Sequence, residues 1–240
     1  MIRTNRPIPV DKIRLLIFDL DGTLIDSRLD LTNSINAMLR HFHRPGLPEE
    51  VISTYIGDGA PMLVRRALGD PDDQAFFNEA LLYFLAYYRE HKLDNTYVYP
   101  GIHESLSAIR NSRNGSPMQM AVLTNKPVVP SKAIVEGLDL NPFFFQVYGG
   151  NSFETKKPDP LGARTLLHEA GVNPEQAVMI GDSANDVLTG RNSGMWTVGL
   201  TYGLAPHSLQ EAPPDVLIDH PQELQELFVP VASNQPPCSA

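Results

Sequence analysis

Two aspartates, Asp19 and Asp21, follow directly on the apolar run Leu15-Leu16-Ile17-Phe18, with Gly22 and Thr23 behind them. A carboxylate taken out of water is costly unless a cation or hydrogen bonds compensate it, so a buried strand that delivers two needs a partner for them. Residues two apart on an extended chain point to the same side. Gly22 permits the tight turn that brings backbone close to a ligand. A strand ending in a plain Asp-Gly turn has no need of two carboxylates on one side.

Three other segments carry polar residues of a matching kind: Thr124-Asn125-Lys126, Lys157-Pro158 and Gly181-Asp182-Ser183-Ala184-Asn185-Asp186. Each alone has a plain structural use. Thr124 and Asn125 suit a turn or helix cap, Lys157 suits solvent beside Lys156, and Asp182 and Asp186 suit the start of a helix. Brought to one edge, however, they gather Asp19, Asp21, Asp182 and Asp186 around a lysine. Four carboxylates in one crevice raise one another's pKa values, and a divalent cation relieves that repulsion. The candidate ligands are all oxygens, which favours Mg²⁺ over zinc. Metal, lysine, threonine hydroxyl and loop amides suit a phosphoryl group, whose transfer depends on positioning and charge neutralisation. The chain has no Gly-x-x-x-x-Gly-Lys-Ser/Thr loop, which argues against nucleotide hydrolysis of the P-loop type.

The elements that must position these residues follow from periodicity. Leu15–Phe18 read as a strand buried on both faces. After Thr23 the pattern turns helical, with Leu31, Ile35, Met38 and Phe42 on one face, until Pro45, Gly46 and Pro48 break it. A second helical stretch runs from Glu49, is interrupted at Gly57-Asp58-Gly59, and resumes through Leu63, Val64 and Leu68. A third carries Phe77, Leu81, Phe84, Leu85 and Tyr88. From Tyr99-Pro100-Gly101 strands and helices alternate, with strands at 119–124, 145–148, 177–182, 196–200 and 215–218. The expected fold is α/β, a doubly wound parallel-sheet core with a small α-helical cap domain inserted after the first strand. Core segments are expected at 1–26 and 99–229, the cap at 27–98, and a flexible tail at 230–240. In such a sheet the carboxyl ends of the strands form the ligand edge.

Composition narrows the partners. Nineteen basic against 28 acidic residues give a net charge of −9, which argues against a nucleic-acid partner. An anionic substrate stays possible, because a local cation overrides the global field. The single cysteine, Cys238, excludes a disulfide framework or thiolate metal cluster. No apolar run has the length of a membrane span or signal peptide, so a cytoplasmic protein is expected.

Asp19-Leu20-Asp21-Gly22-Thr23, Leu123-Thr124-Asn125, Lys157-Pro158 and Gly181 to Asp186 resemble, in order, the four motifs of the haloacid-dehalogenase-like hydrolases. The resemblance covers the chain from about Ile13 to Phe228, and the helical insertion resembles that family's small cap. Within the family, Tyr55-Ile56-Gly57-Asp58-Gly59, Lys157-Pro158-Asp159-Pro160 and Val198-Gly199-Leu200-Thr201-Tyr202-Gly203 are most similar to phosphoglycolate phosphatases. The resemblance implies Mg²⁺-dependent hydrolysis of a small anionic phosphomonoester, 2-phosphoglycolate, through an aspartyl-phosphate. It implies Asp19 as nucleophile and Asp21 as acid and base. Metal ligands would be the Asp19 carboxylate, the Asp21 backbone carbonyl and Asp182. Thr124, the Asn125 amide and Lys157 would hold the phosphoryl oxygens, and Asp186 would orient Lys157 or a metal-bound water. For substrate choice we expect Gly57, Asp58 and Gly59, whose loop can present amides, and the following helix start, which favours a carboxylate. Arg65 would add charge. Two other readings share these features. One is a phosphomutase on the same core; the other is a non-catalytic receiver-like module, which needs about half this length and no helical insertion.

Overall fold

The computed structural model describes residues 1–112 and 117–229; the tail expected at 230–240 lies outside them. A two-residue edge strand, β1 (Arg3–Thr4), precedes the apolar run, which forms β2 (Leu15–Phe18). Then come β3 (Ile25–Asp26) and four helices in succession: α1 (Arg28–His41), α2 (Glu49–Ser53), α3 (Ala60–Ala67) and α4 (Gln74–His91). After β4 (Tyr97–Val98) the alternation begins: α5 (Ile102–Asn111), β5 (Gln119–Leu123), α6 (Val128–Gly137), β6 (Gln146–Tyr148) and α7 (Leu161–Ala170). It continues through β7 (Ala177–Gly181), α8 (Ala184–Ser193), β8 (Trp196–Leu200), β9 (Val216–Ile218) and α9 (Glu223–Phe228).

The main sheet has the order β1-β9-β8-β7-β2-β5-β6 and is parallel except for β1, which runs antiparallel to β9. β2 lies inside it, fully buried. Its alternating side chains serve both faces: Leu15 and Ile17 pack with Leu166, Leu167 and Met179, while Leu16 and Phe18 pack with Leu106, Ile109 and Leu224. From β2 the chain builds outward to β5 and β6, then crosses over to β7, β8 and β9. The order therefore reverses beside β2, where open sheets hold their ligands. Phe18 is level with Val122 on one neighbour and Ile180 on the other. Asp19 thus emerges level with Leu123 and Gly181, and Thr124 and Asp182 come one residue later.

The four successive helices form a separate bundle above this edge. In it α1 packs on α4 and α2, and α3 packs on α4. Leu31, Ile35 and Met38 are buried, as the helical spacing predicts. Phe42, just past the end of α1, meets Phe76 edge to face at 5.3 Å. The chain enters and leaves the bundle through the antiparallel pair β3 and β4, with Ile25 opposite Val98. Asp30 pins the two crossings together. Its buried carboxylate accepts hydrogen bonds from the backbone N–H and side-chain amide of Asn95 and from the N–H and hydroxyl of Thr96, at 2.7 to 3.0 Å. Among the described residues no helix is long and apolar enough to cross a membrane.

Candidate active site

Asp19 leaves β2 with its N–H donating to the Ile180 carbonyl at 2.9 Å, which fixes its carboxylate at the strand end. Lys157 reaches it from the segment before α7: its Nζ lies 2.9 Å from Asp19 Oδ1 and donates to Asp186 Oδ1 at 2.6 Å. The other oxygen of Asp186 accepts from the N–H and hydroxyl of Ser183, closing the capping box at the start of α8. Asp182 Oδ2 accepts from the N–H groups of Leu204 at 2.6 Å and Ala205 at 2.9 Å. Gly22 has φ +79°, and a Cβ there would stand 2.2 Å from Asp182 Oδ2. The turn after the two aspartates therefore admits only glycine without displacing Asp182.

Carboxyl oxygens of Asp19, Asp182 and Asp186 lie within 4.8 Å of one another, and all three residues are buried. Burial, followed by repulsion from Asp186 and Asp19, pushes Asp182 up to about 8. Burial also raises Asp19 to about 6, although Lys157 works against it. For Lys157 burial acts downward, but Asp186 and Asp19 outweigh it and hold the lysine above its ordinary value. Three carboxylates thus face one ammonium, which leaves an excess of negative charge that a divalent cation fits. The donors are oxygens, and the three carboxylates share a single lysine. Both features fit Mg²⁺.

Asp19 and Asp21 open onto a cleft between sheet edge and helical bundle, lined on the core side by Thr124, Asn125 and Lys126 as well. Thr124 Oγ1 accepts from the Lys126 N–H at 3.3 Å. The Asn125 side-chain amide donates to the carbonyls of Gly57 and Lys157, at 3.0 and 3.1 Å. It therefore links the bundle to the segment that carries Lys157. Asp21 Oδ1 accepts from the Ser27 hydroxyl at 2.6 Å, and the Lys126 ammonium contacts both Asp21 oxygens at 2.9 and 3.0 Å.

The substrate-selecting residues expected from the sequence divide. Gly57 and Gly59 line the cleft. Gly59 has φ +85°, and its missing Cβ would stand 2.7 Å from the Asn125 carbonyl, so close docking on the core requires glycine there. Asp58 does not line the cleft. Its carboxylate accepts from Asn185 Nδ2 at 2.9 Å and from Arg66 at 2.6 Å, and its carbonyl accepts from Lys156 Nζ at 2.6 Å. Arg65, expected to add charge there, is not among the described residues that line the cleft. Its guanidinium is engaged by Asp70, Pro71 and Gln74 and lies 4.2 Å over the Phe77 ring. Ala60 and Leu63 face the cleft, and Arg65, two residues past Leu63, is turned by about 200° from it. Asp58 and its core partners act as a latch. Asp58→Ala should raise KM for every phosphomonoester alike, roughly three- to tenfold for the lost hydrogen bonds, with little change in kcat or Tm. Steady-state kinetics on two unlike substrates check this, and a loss confined to one would make the loop a recognition element.

Several participants escaped the sequence reading. Lys126 gave no sign of its pairing with Asp21, and Tyr88, counted there as helix core, turns out to line the cleft. Asn185 lies inside the last motif, but its partner Asp58 is distant in sequence.

Comparison with known proteins agrees with this geometry. A sequence profile of the haloacid dehalogenase-like hydrolases matches residues 16–200, from within β2 to the end of β8. A phosphoglycolate phosphatase of Pseudomonas putida is 39% identical over 196 residues, covering 79% of this chain and 70% of the relative. Phosphoglycolate phosphatase 1 of Pseudomonas aeruginosa is 38% identical over 218 residues, covering 88% and 78%. Among solved structures, a predicted phosphoglycolate phosphatase from Haemophilus somnus 129PT is similar, with a TM-score of 0.83 at 30% identity over 90% of this chain and 97% of that one. The chain belongs to the haloacid dehalogenase-like hydrolases.

Proposed function

We propose that the chain is a Mg²⁺-dependent phosphatase that hydrolyses 2-phosphoglycolate to glycolate and phosphate through an aspartyl-phosphate on Asp19. The relatives' names support the substrate. The observation that carries it is the wall of the cleft opposite Asp19. Among the described lining residues the bundle presents Leu31, Ile56, Leu63, Phe84 and Leu85, and only one polar side chain, that of Tyr88. A sugar phosphate brings several hydroxyls, each costly to bury without a partner. A two-carbon acid brings a single anionic group, for which the described lining residues offer one cation, Lys126, and no further polar groups to satisfy.

In this reading an oxygen of Asp19 attacks phosphorus and forms the Asp19–phosphorus bond as the ester bond breaks. Asp21, on the same side, gives its proton to the departing glycolate oxygen. Water then attacks phosphorus, Asp21 takes its proton, and the bond to Asp19 breaks to release phosphate. Lys157, Thr124 and the Asn125 backbone N–H hold the phosphoryl oxygens through both steps, with Asp186 keeping Lys157 in place. Mg²⁺, held by the Asp19 carboxylate, the Asp21 carbonyl and Asp182, would supply positive charge against the phosphoryl oxygens. The bundle shields the site from bulk water while the phosphoryl group passes to Asp19, and the attacking water takes the place of the departed glycolate.

Phosphate release from 2-phosphoglycolate, glucose 1-phosphate and glucose 6-phosphate tests the assignment. The expected kcat/KM is on the order of 10²-fold higher for phosphoglycolate. Interconversion of the two glucose phosphates without free phosphate would identify a mutase, and no turnover of any ester would identify a binding module.

A further inference from the structure

The geometry points to a second anion-binding position in this cleft, and we propose that the Lys126 ammonium and the Tyr88 hydroxyl together bind the substrate's carboxylate. The inference rests on the phosphatase reading above and names the group that selects its substrate.

Lys126 is the only cationic side chain among the described residues lining the cleft. It is 5% exposed, and its Nζ lies 4.7 Å from the Tyr88 ring centroid. An ammonium has three N–H donors, and its two contacts to the Asp21 oxygens leave at least one for another acceptor. Tyr88, from α4, is 3% exposed, and its buried hydroxyl faces the Lys126 ammonium through its oxygen while its proton has no acceptor. Burial pushes that hydroxyl up to about 12, against the pull of Lys126, so it remains a donor. A buried donor left unpaired is costly, and an incoming carboxylate oxygen would satisfy it. Other nearby cations serve elsewhere: Lys157 the phosphoryl group beside Asp186 and Asp19, Lys156 and Arg66 the Asp58 latch, and Arg65 lies outside the cleft.

Reach decides the class of acid. Asp21 must touch the ester oxygen to protonate it, and Lys126 touches Asp21. In a phosphorylated 2-hydroxy acid the carboxylate carbon is two bonds from the ester oxygen, each about 1.5 Å. That places the carboxylate beside the cation that adjoins Asp21. A longer spacer would drive the charge into Leu63, Phe84 and Leu85, where nothing compensates it. The selected substrates are therefore short phosphomonoesters with a carboxylate on the ester-bearing carbon.

The test compares 2-phosphoglycolate with 2-hydroxyethyl phosphate, in which a neutral CH₂OH replaces the carboxylate. The readout is the ratio of the two kcat/KM values, in which anything Lys126 does for Asp21 cancels. Wild type should favour phosphoglycolate by about 10²-fold or more. Lys126→Gln should lower that ratio on the order of 10²-fold, and Tyr88→Phe about tenfold. Tyr88→Phe keeps the ring and removes only the hydroxyl, so it decides alone if Lys126→Gln fails to fold. Equal losses on both esters would make Lys126 a positioning residue for Asp21 and overturn the subsite. Equal wild-type activity on both esters would overturn the subsite and leave the phosphatase reading standing. Phosphate from neither ester would overturn that reading and this inference with it.

Discussion

Asp19→Asn should lower phosphate release from 2-phosphoglycolate by at least about 10⁴-fold and abolish the phosphorylated protein trapped by rapid quenching. An amide oxygen is a far poorer nucleophile than a carboxylate, and no other carboxylate occupies the exit of β2 level with Leu123 and Gly181. The fold should survive. Burying the Asp19 charge is unfavourable enough to raise its pKa to about 6, so a neutral amide of the same shape leaves the metal-free protein at least as stable. A thermal melt separates lost chemistry from lost structure. Near-normal turnover by a well-folded variant would end the nucleophile assignment. Asp21→Asn should behave differently, slowing esters with poor leaving groups such as glycolate more than nitrophenyl phosphate, whose leaving group needs no proton. Equal losses on both would remove Asp21 from the acid role.

The split between what local sequence shows and what it hides has a physical cause. Asp19, Thr124 and Asp182 are each one residue past a strand whose apolar run is visible, so sheet topology places them without further information. Asp30 and its Asn95 and Thr96 partners are invisible to periodicity, because the bonds join segments about 65 residues apart. β1, β3 and β4 are two residues each, too short to show any period. Arg65 shows the limit most clearly. Its charge and its nearness to Gly59 suggested a substrate contact, but side-chain direction depends on the phase of α3 against a docking partner, which composition does not encode. Lys126 is the converse case: a lysine beside a motif looks like solvent-facing charge until the bundle closes over it and leaves it 5% exposed. Residues at the ends of visible strands were legible, whereas side-chain partners across the meeting of bundle and core, such as Lys126 with Asp21 and Asp58 with Asn185, were not.

Removing Mg²⁺ with a chelator should abolish turnover, and Mg²⁺ but not Ca²⁺ should restore it. A small cation of six-ligand preference such as Mg²⁺ would engage one oxygen of Asp19 and leave the other free to attack. Ca²⁺ takes more ligands at longer range and can engage both oxygens, which would immobilise the nucleophile. Full activity with Ca²⁺ alone would count against the site. The same cluster predicts a stability signature that needs no turnover. In the metal-free protein Asp182 is raised to about 8 and Asp19 to about 6 from 3.8, so the folded state holds protons that the unfolded chain releases. That contribution is fully present below about pH 4 and is lost as pH rises through about 6 and then about 8. Mg²⁺ binds the deprotonated carboxylates, so it should stabilise little at about pH 5 and most above about pH 8. At a hundredfold excess over its Kd the gain is about 2.7 kcal/mol, or about 5–10 °C in Tm for a chain of this size. Asp182→Asn should abolish the Mg²⁺-dependent shift and raise the Tm of the metal-free protein at alkaline pH, because it removes the carboxylate that burial penalises most. A Tm that rises equally with Mg²⁺ at about pH 5 and about pH 8, or a shift that survives Asp182→Asn, would place the cation somewhere other than this cluster.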